Sequence, residues 1–269
     1  MRILAYCPVA PKTPKIYGRT LQSIFRLDWS FPLDIVFGRE DHPAGTGYEN
    51  IRDKHNHARS IVLNNGYDAV LFVEADMVIP PDTLRKLASV DADVAYGLYV
   101  NRHGWRRWLA FTMLDRGGAQ SLSQKPDIAR ACWGSPIETQ GAGMGCTLIH
   151  RRVLEKIEFR LPNDAGIDVA DDWIFSLDCQ RLGFRQAHHL GVACGHISPN
   201  GVLWPDPSEN DLCRVEFDDD VVDKMPVRYA SNESPVTIDV TGIDRKDVYG
   251  WQTERQNPNV APLAPSGIE

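Results

Sequence analysis

The stretch AVLFVEADMVIPPDTL, residues 69–84, constrains the fold more than any other part of this sequence. Five consecutive apolar residues, Ala69–Val73, are too few for a buried helix and suit a strand covered on both faces. The flanks read as helices. IRDKHNHARSIVL ends at Asn64-Asn65-Gly66, a common C-terminal stop, and PPDTLRKLAS is opened by proline. The same alternation runs through the first hundred residues. Residues 2–6 and 33–37 read as strands, and YGRTLQSIFRL between them places Leu21, Ile24, Phe25 and Leu27 on one helical face. GREDHPAGTGYEN reads as a loop, and DVAYGLYV as a further strand. This alternation predicts an α/β fold with a mostly parallel central sheet flanked by helices.

The second hundred residues extend the pattern less regularly. RRWLAFTML is strand-like, and GAGMGCTLIHRRVLEKI reads as a glycine-rich loop, a strand and a short helix. DDWIFSLDCQRLGF is a helix carrying Trp173, Phe175, Leu177 and Leu182 and ended by Gly183, and RQAHHLGVACGHI is a closing strand. Beyond residue 200 prolines and acidic runs predominate. We therefore expect a domain at 1–200 and an irregular, loosely packed extension at 201–269 whose last dozen residues are mobile.

With 269 residues, 43% of them hydrophobic, the chain is long enough for a sizeable core. The formal net charge of -7 disfavours sequence-independent binding to phosphate backbones. Arg102, Arg106 and Arg107 remain as a local basic cluster, interleaved with Trp105 and Trp108. No apolar run reaches membrane-spanning length, and MRILAYCPVA lacks the long apolar region of a signal peptide. Six scattered cysteines without a CxxC pair suit reduced thiols, so the expected compartment is the cytoplasm.

The strand at 69–73 ends on Glu74 and Asp76, and ligands gather at the carboxyl ends of strands in open α/β sheets. Along a strand residues two apart point the same way, so both carboxylates are expected to face one ligand. Adjacent carboxylates repel unless a divalent cation lies near. Hard oxygen ligands suit Mg²⁺ or Mn²⁺, which commonly bridge to phosphates. Taken alone, the pair is better read as a solvated strand end with a helix-capping aspartate.

The run NHARSIVLNNGYDAVLFVEADMVIPPDTLRKL resembles the family 2-like glycosyltransferases of the GT-A fold, of the bacterial, archaeal and phage type. In that family an asparagine-x-alanine-arginine helix start precedes a strand ending in a DxD motif, here Glu74-Ala75-Asp76. The resemblance covers residues 1–197 and implies a metal-dependent, nucleotide-sugar-using transferase. It implies metal ligation by Asp76, Glu74 and His196, the last at the end of VACGHIS, with His188 and His189 as weaker candidates. It places Tyr6, Cys7 and Pro8 under the base, Asn56 and Arg59 at the nucleotide, and Gly141, Gly143 and Gly145 against the sugar. Arg59 is also suited to a structural salt bridge, and Arg102 either to the diphosphate or to solvent. Asp172 aligns with the general base of inverting members, and Asp171 with the acidic residue before it. As first-turn residues, both also suit a helix dipole.

A UDP- or GDP-sugar is the expected donor. The acceptor is left open among a glycan, a lipid-linked sugar, a protein, a small molecule and a modified DNA base. Two rivals stand beside this reading. A nucleotidyltransferase acting on sugar phosphates would carry a glycine-rich basic loop after the first strand, which CPVAPKTPKIYGRT matches poorly. A non-catalytic carbohydrate-binding protein on a transferase scaffold would not need both acidic motifs. No HExxH or GxSxG pattern points to a hydrolase.

Overall fold

A computed structural model describes residues 1–9, 15–38, 46–102, 106–162, 170–199, 201–217 and 224–226. Trp105 and most of the expected C-terminal extension lie outside the described residues. The first hundred residues form β1 (Ile3–Pro8), β2 (Lys15–Tyr17), α1 (Gly18–Phe25), β3 (Leu33–Gly38), α2 (Gly47–Asn65), β4 (Ala69–Val73), β5 (Met77–Val78), α3 (Thr83–Ala88) and β6 (Val94–Leu98). Then come β7 (Phe111–Leu114), β8 (Ala119–Ser121), α4 (Pro126–Ala131), β9 (Pro136–Glu138), β10 (Cys146–His150) and α5 (Arg151–Leu154). The chain continues through α6 (Asp171–Arg181), β11 (Gln186–Ala193), β12 (Gly195–Ser198), β13 (Gly201–Pro205), β14 (Cys213–Glu216) and β15 (Lys224–Pro226).

The central sheet has seven strands in the order β3-β1-β4-β10-β6-β11-β9. Strands β3, β1, β4, β6 and β11 run parallel, as the alternation predicts. β10 is inserted antiparallel between β4 and β6, and β9 is antiparallel at the edge. Strand β4 at the centre is wholly buried, and its side chains divide with period two. Ala69, Leu71 and Val73 join Leu21, Ile24, Leu84 and Leu87 of α1 and α3 on one face. Val70 and Phe72 join Ala58, Val62, Phe159 and Phe175 on the face covered by α2 and α6. Burying each such large apolar side chain is worth roughly 1.5–3 kcal/mol.

Helix α2 stops where the sequence predicts, with Gly66 in the left-handed region at φ 71°. It begins earlier than expected. The Thr46 hydroxyl accepts from Glu49 N–H at 3.2 Å, and Glu49 accepts from Thr46 N–H at 2.7 Å, a capping box inside the stretch read as loop. Two apolar assignments are corrected. Phe25 is 57% exposed because α1 buries the face of Thr20, Leu21, Ser23 and Ile24, and Leu182, just past α6, is exposed.

Residues 201–217, expected to open the extension, supply β13 and β14 to a second sheet ordered β14-β13-β12-β5. Leu203, Leu212 and Cys213 pack there with Leu98 and Trp108. Its strand β5 lies directly after the carboxylate pair. All six cysteines are free thiols, as expected.

Candidate active site

Beyond Val73 the chain leaves the extended conformation. Met77 N–H donates to the Glu74 carbonyl at 3.0 Å, closing a turn, and Glu74 N–H is held by the Gly145 carbonyl at 3.0 Å. The expected strand alternation of Glu74 and Asp76 is thus replaced by a turn. The turn still brings both side chains to one cavity.

That turn is joined to β12 by backbone pairing. His196 stands opposite Met77 in the β5–β12 register, and Ile197 N–H donates to the Asp76 carbonyl at 2.8 Å. His196 Nε2 consequently lies 3.8 Å from Asp76 Oδ2. Its Nδ1–H donates to the Val100 carbonyl at 2.8 Å, which fixes the ring and turns Nε2 towards the carboxylate. Arg102 pairs with the same Asp76 oxygen, so it is not the solvated arginine of the alternative reading. Burial pushes the Asp76 carboxyl up, but His196 and Arg102 outweigh it and hold it below the usual range. Burial also raises the Glu74 carboxyl, and there the nearby Asp76 charge adds to it.

Three cavities meet around these residues. The first, about 290 Å³, is lined by Pro8, Asn50, Lys54, Glu74, Ala75, Asp76 and Arg102. It is a cleft with two cations facing two carboxylates. The second, about 520 Å³, opens between the N-termini of α2 and α6 and is lined by Tyr48, His55, Glu74, Met144, Asp171 and Asp172. The third, about 410 Å³, is lined by Asn101, Arg107, Phe111, Ser121, Gly143, Asp172 and Trp173. Glu74 belongs to the first and second, and Asp172 to the second and third. The sequence separates these two residues by almost a hundred positions, and the sheet joins them into one path.

Asp172 is strongly altered by its surroundings. Burial, then the charges of Asp171 and Glu74, push its carboxyl up to about 7, although Trp173 N–H donates to it at 2.7 Å. Asp171 takes a different position. Only 1% exposed, it accepts from Nδ1 of the equally buried His55 at 2.7 Å.

Gly143 is required by space rather than by backbone angle. A Cβ there would lie 2.3 Å from the Tyr99 hydroxyl and 3.3 Å from an Asp172 oxygen. Tyr99 is itself buried and receives the Gly145 N–H at 3.0 Å. We expect Gly143→Ala to lower stability by about 1–3 kcal/mol and to reduce turnover, because Tyr99 and Asp172 must both yield. Thermal unfolding and an activity assay check this; an unperturbed protein would show that the loop is slack.

Several expected site residues lie elsewhere. Tyr6 is buried beneath α2 with its hydroxyl 3.1 Å from His57 Nδ1, so it does not present its ring to the cleft. Asn56 exchanges hydrogen bonds with the Phe159 backbone at 2.8 and 3.0 Å. Arg59 Nε donates to the carbonyls of Leu154 and Ile157 at 2.7 and 3.0 Å. Both tie α2 to α5 and the chain after it, and neither lines any of these three cavities; Arg59 spends its Nε on backbone carbonyls rather than on the alternative carboxylate pairing. A Cβ on Gly141 would meet Ser176 and Leu114, and Gly141 lines none of these three cavities. His188 is bonded to Thr139 and the Leu109 carbonyl, and burial pushes its imidazole down to about 3. His189 receives the Gly191 N–H, so neither of these histidines points to Asp76. Pro8, Glu74, Ala75, Asp76, Gly143, Asp172 and His196 do converge.

Sequence reasoning missed Asn50, Lys54, His55, Tyr99, Phe111 and the cavity role of Trp173. Asn50, Lys54 and Ala58 recur every four residues, and all three are buried. A polar stripe on the inner face of a helix was the available signal.

The donor set also bears on a metal ion. Asp76 supplies a hard carboxylate and His196 an imidazole nitrogen, oriented by its bond to Val100. Among the described residues no three His, Cys, Asp or Glu side chains converge as a metal cluster. Two protein ligands fit an ion completed by phosphate oxygens and water, as Mg²⁺ and Mn²⁺ commonly are. Among the described residues no helix is long and apolar enough to cross a membrane.

No protein-family model matches the sequence, and no curated protein sequence matches it. Solved structures do resemble it. A197 from STIV superposes with a TM-score of 0.52 at 17% identity, over 81% of this chain and 95% of that one. S. aureus TarS 1-349 gives a TM-score of 0.42 at 16% identity, over 70% of this chain and 58% of that one. The same TarS segment in complex with UDP-GlcNAc gives 0.38 at 15% identity, over 70% and 56%. This chain thus spans little more than half of the TarS segment. The likeness to A197 shows the fold, an α/β architecture of GT-A type, in accord with the expectation from the sequence.

Proposed function

We propose that the protein transfers a sugar from a nucleotide-diphosphate sugar to an acceptor hydroxyl, with inversion at the anomeric carbon. One observation carries this reading. Asp172, a carboxylate whose affinity for a proton is poised near neutrality, stands between two cavities, and Glu74 links them to a cleft lined with cations.

The cleft at Pro8, Lys54, Asp76 and Arg102 takes the nucleotide diphosphate. Lys54 and Arg102 offer positive charge to its oxygens, where preorganised charge lowers the barrier to departure of the leaving group. Asp76 and His196 would hold a Mn²⁺ or Mg²⁺ ion, which when bound supplies Lewis-acid stabilisation of the diphosphate. Glu74, on the far side of the turn, faces the hydroxyls of the transferred sugar. The acceptor enters from the 410 Å³ cavity, whose Phe111 and Trp173 rings stand 5.8 Å apart. Asp172 accepts the proton of the attacking hydroxyl. A single base on the acceptor side, opposite the leaving group, gives inversion.

The ion pair of Arg102 with Asp76 favours a second reading, in which Arg102 and Lys54 alone neutralise the diphosphate without a metal ion. Transfer measured with EDTA and with added Mn²⁺ separates the two. Nucleotide sugars incubated with protein and assayed for free nucleoside diphosphate test the main reading. Pyrophosphate release from a nucleoside triphosphate and a sugar phosphate would replace it with a nucleotidyltransferase.

The base must be ionised to act. With its carboxyl near 7, kcat is expected to rise about tenfold per pH unit below that value and to level off above it. A rate constant between pH 5.5 and 8.5 would remove Asp172 from that role.

A further inference from the structure

His55 is a buried titratable group at the site that this mechanism does not use. It lies in the third turn of α2, 1% exposed, with Phe72 edge-on at 4.8 Å and Phe159 at 4.9 Å between ring centres. Its Nδ1–H donates to Asp171, and its Nε2 is buried with no hydrogen-bond partner. An imidazole with one nitrogen unpartnered is unfavourable in an aromatic box, and here the Asp171 carboxylate on its other nitrogen offsets that cost. The ring also lines the 520 Å³ cavity faced by Glu74 and Asp172.

We propose that His55 is a positioning residue for Asp172: a buried imidazolium, paired with Asp171, that fixes the first turn of α6 and sets a positive charge beneath the two carboxylates facing the cavity. The proposal rests on the assignment of Asp172 as the base. Asp171 and Asp172 are adjacent on α6, so drawing Asp171 inward to α2 turns Asp172 to the junction of the second and third cavities. The charge then acts through space. Burial opposes protonation of His55, but the charge and hydrogen bond of Asp171 outweigh it and raise its affinity for a proton, with Glu74 and Asp172 adding to the effect. His55 in turn draws the Asp172 carboxyl down, partly offsetting what burial, Asp171 and Glu74 do to it.

Among the described residues, Glu74 faces this pair from the turn after β4, the buried Tyr96 and Tyr99 hydroxyls lie near Asp172 from β6 and just beyond it, and Arg107 lines the third cavity with Asp172. Lys54 lines the first cavity, from the same helix as His55.

Charge and mere packing predict different signs. Replacing His55 by Asn keeps a donor for Asp171 and removes the cation, so the Asp172 carboxyl should titrate about one unit higher. Asp171→Asn removes the nearer negative charge, so Asp172 should titrate lower despite the loss of the imidazolium. A purely structural pair would move Asp172 the same way in both variants, because each only loosens α6.

The test is titration of the Asp172 carboxyl by carbon-13 NMR in wild type, His55→Asn, Asp171→Asn and the double variant. The rate–pH profile of donor hydrolysis or transfer is recorded in parallel. We expect opposite shifts in the two single variants, with His55→Asn about tenfold slower at pH 6 and within twofold of wild type at pH 9. Shifts of the same sign, or none, overturn the proposal. Should His55→Asn fold poorly, His55→Gln and Asp171→Asn carry the same comparison. If wild type transfers no sugar while the shifts are opposite, the transferase reading fails and the His55 assignment stands.

Discussion

Asp172→Asn is expected to lower sugar transfer by roughly 10²- to 10⁴-fold, the usual contribution of a general base. Asn matches the carboxylate in size but cannot take a proton, so nucleotide-sugar binding should change by less than about threefold. The pH limb near 7 should vanish with the rate. Stability should move the other way. The raised carboxyl means that the folded state holds a proton which the unfolded chain has already lost between pH 3.8 and about 7. Asp172 therefore lowers folding stability increasingly across that window, and the penalty is complete above it. The neutral amide escapes this penalty, so Asp172→Asn should melt at or above the wild-type temperature at pH 8. A fold-preserving variant that keeps more than a tenth of the activity would contradict the assignment.

Asp76→Asn is expected to affect the donor itself. Asp76 is the acidic partner of both Arg102 and His196 and is 13% exposed at the side chain. Removing its charge leaves two basic groups without their counter-ion and takes a hard oxygen from the place where a divalent ion fits. Donor affinity and transfer should each fall, transfer by roughly 10²- to 10³-fold. Isothermal titration with a nucleotide sugar, with and without Mn²⁺, checks this. If wild type binds tighter with Mn²⁺ and Asp76→Asn does not, Asp76 is a metal ligand. If both respond alike, the ion binds elsewhere.

The parts of the fold legible in the sequence are those written in local pattern. Ala69–Val73 is a continuous apolar run, and Asn64-Asn65-Gly66 marks the end of α2 through a left-handed glycine. The antiparallel insertion of β10 was not legible, because strand direction depends on the path of the connecting loop and leaves no mark on apolar periodicity. The start of α2 was hidden in a polar stretch, although Thr46 and Glu49 spell a capping box.

The site divides in the same way. The positions of Asp76 and Asp172 were legible because the first follows a strand and the second opens a helix, elements whose types the sequence declares. His196 was legible only by its order along the chain; its approach to Asp76 depends on the β5–β12 pairing. Asn56 and Arg59 were read as nucleotide contacts, yet they satisfy backbone groups of residues 154–159. A polar motif at a helix surface does not reveal whether its partner is a ligand or a loop. Lys54 and His55 were overlooked for the opposite reason. IRDKHNHAR looks like a solvated face, and only the placement of α2 against α6 shows that both side chains are buried.

The central claim is that the corner formed by Lys54, Asp76, Arg102 and His196 seats the diphosphate of an activated sugar. Titrating the wild-type protein against UDP-, GDP-, CMP- and dTDP-sugars, with and without Mn²⁺, by thermal shift tests it most directly. Binding to the folded state raises the melting temperature with the logarithm of ligand over its dissociation constant. The account predicts that at least one diphosphate donor stabilises the protein and that Asp76→Asn abolishes the shift. Indifference to every donor, or an equal shift in Asp76→Asn, would contradict it.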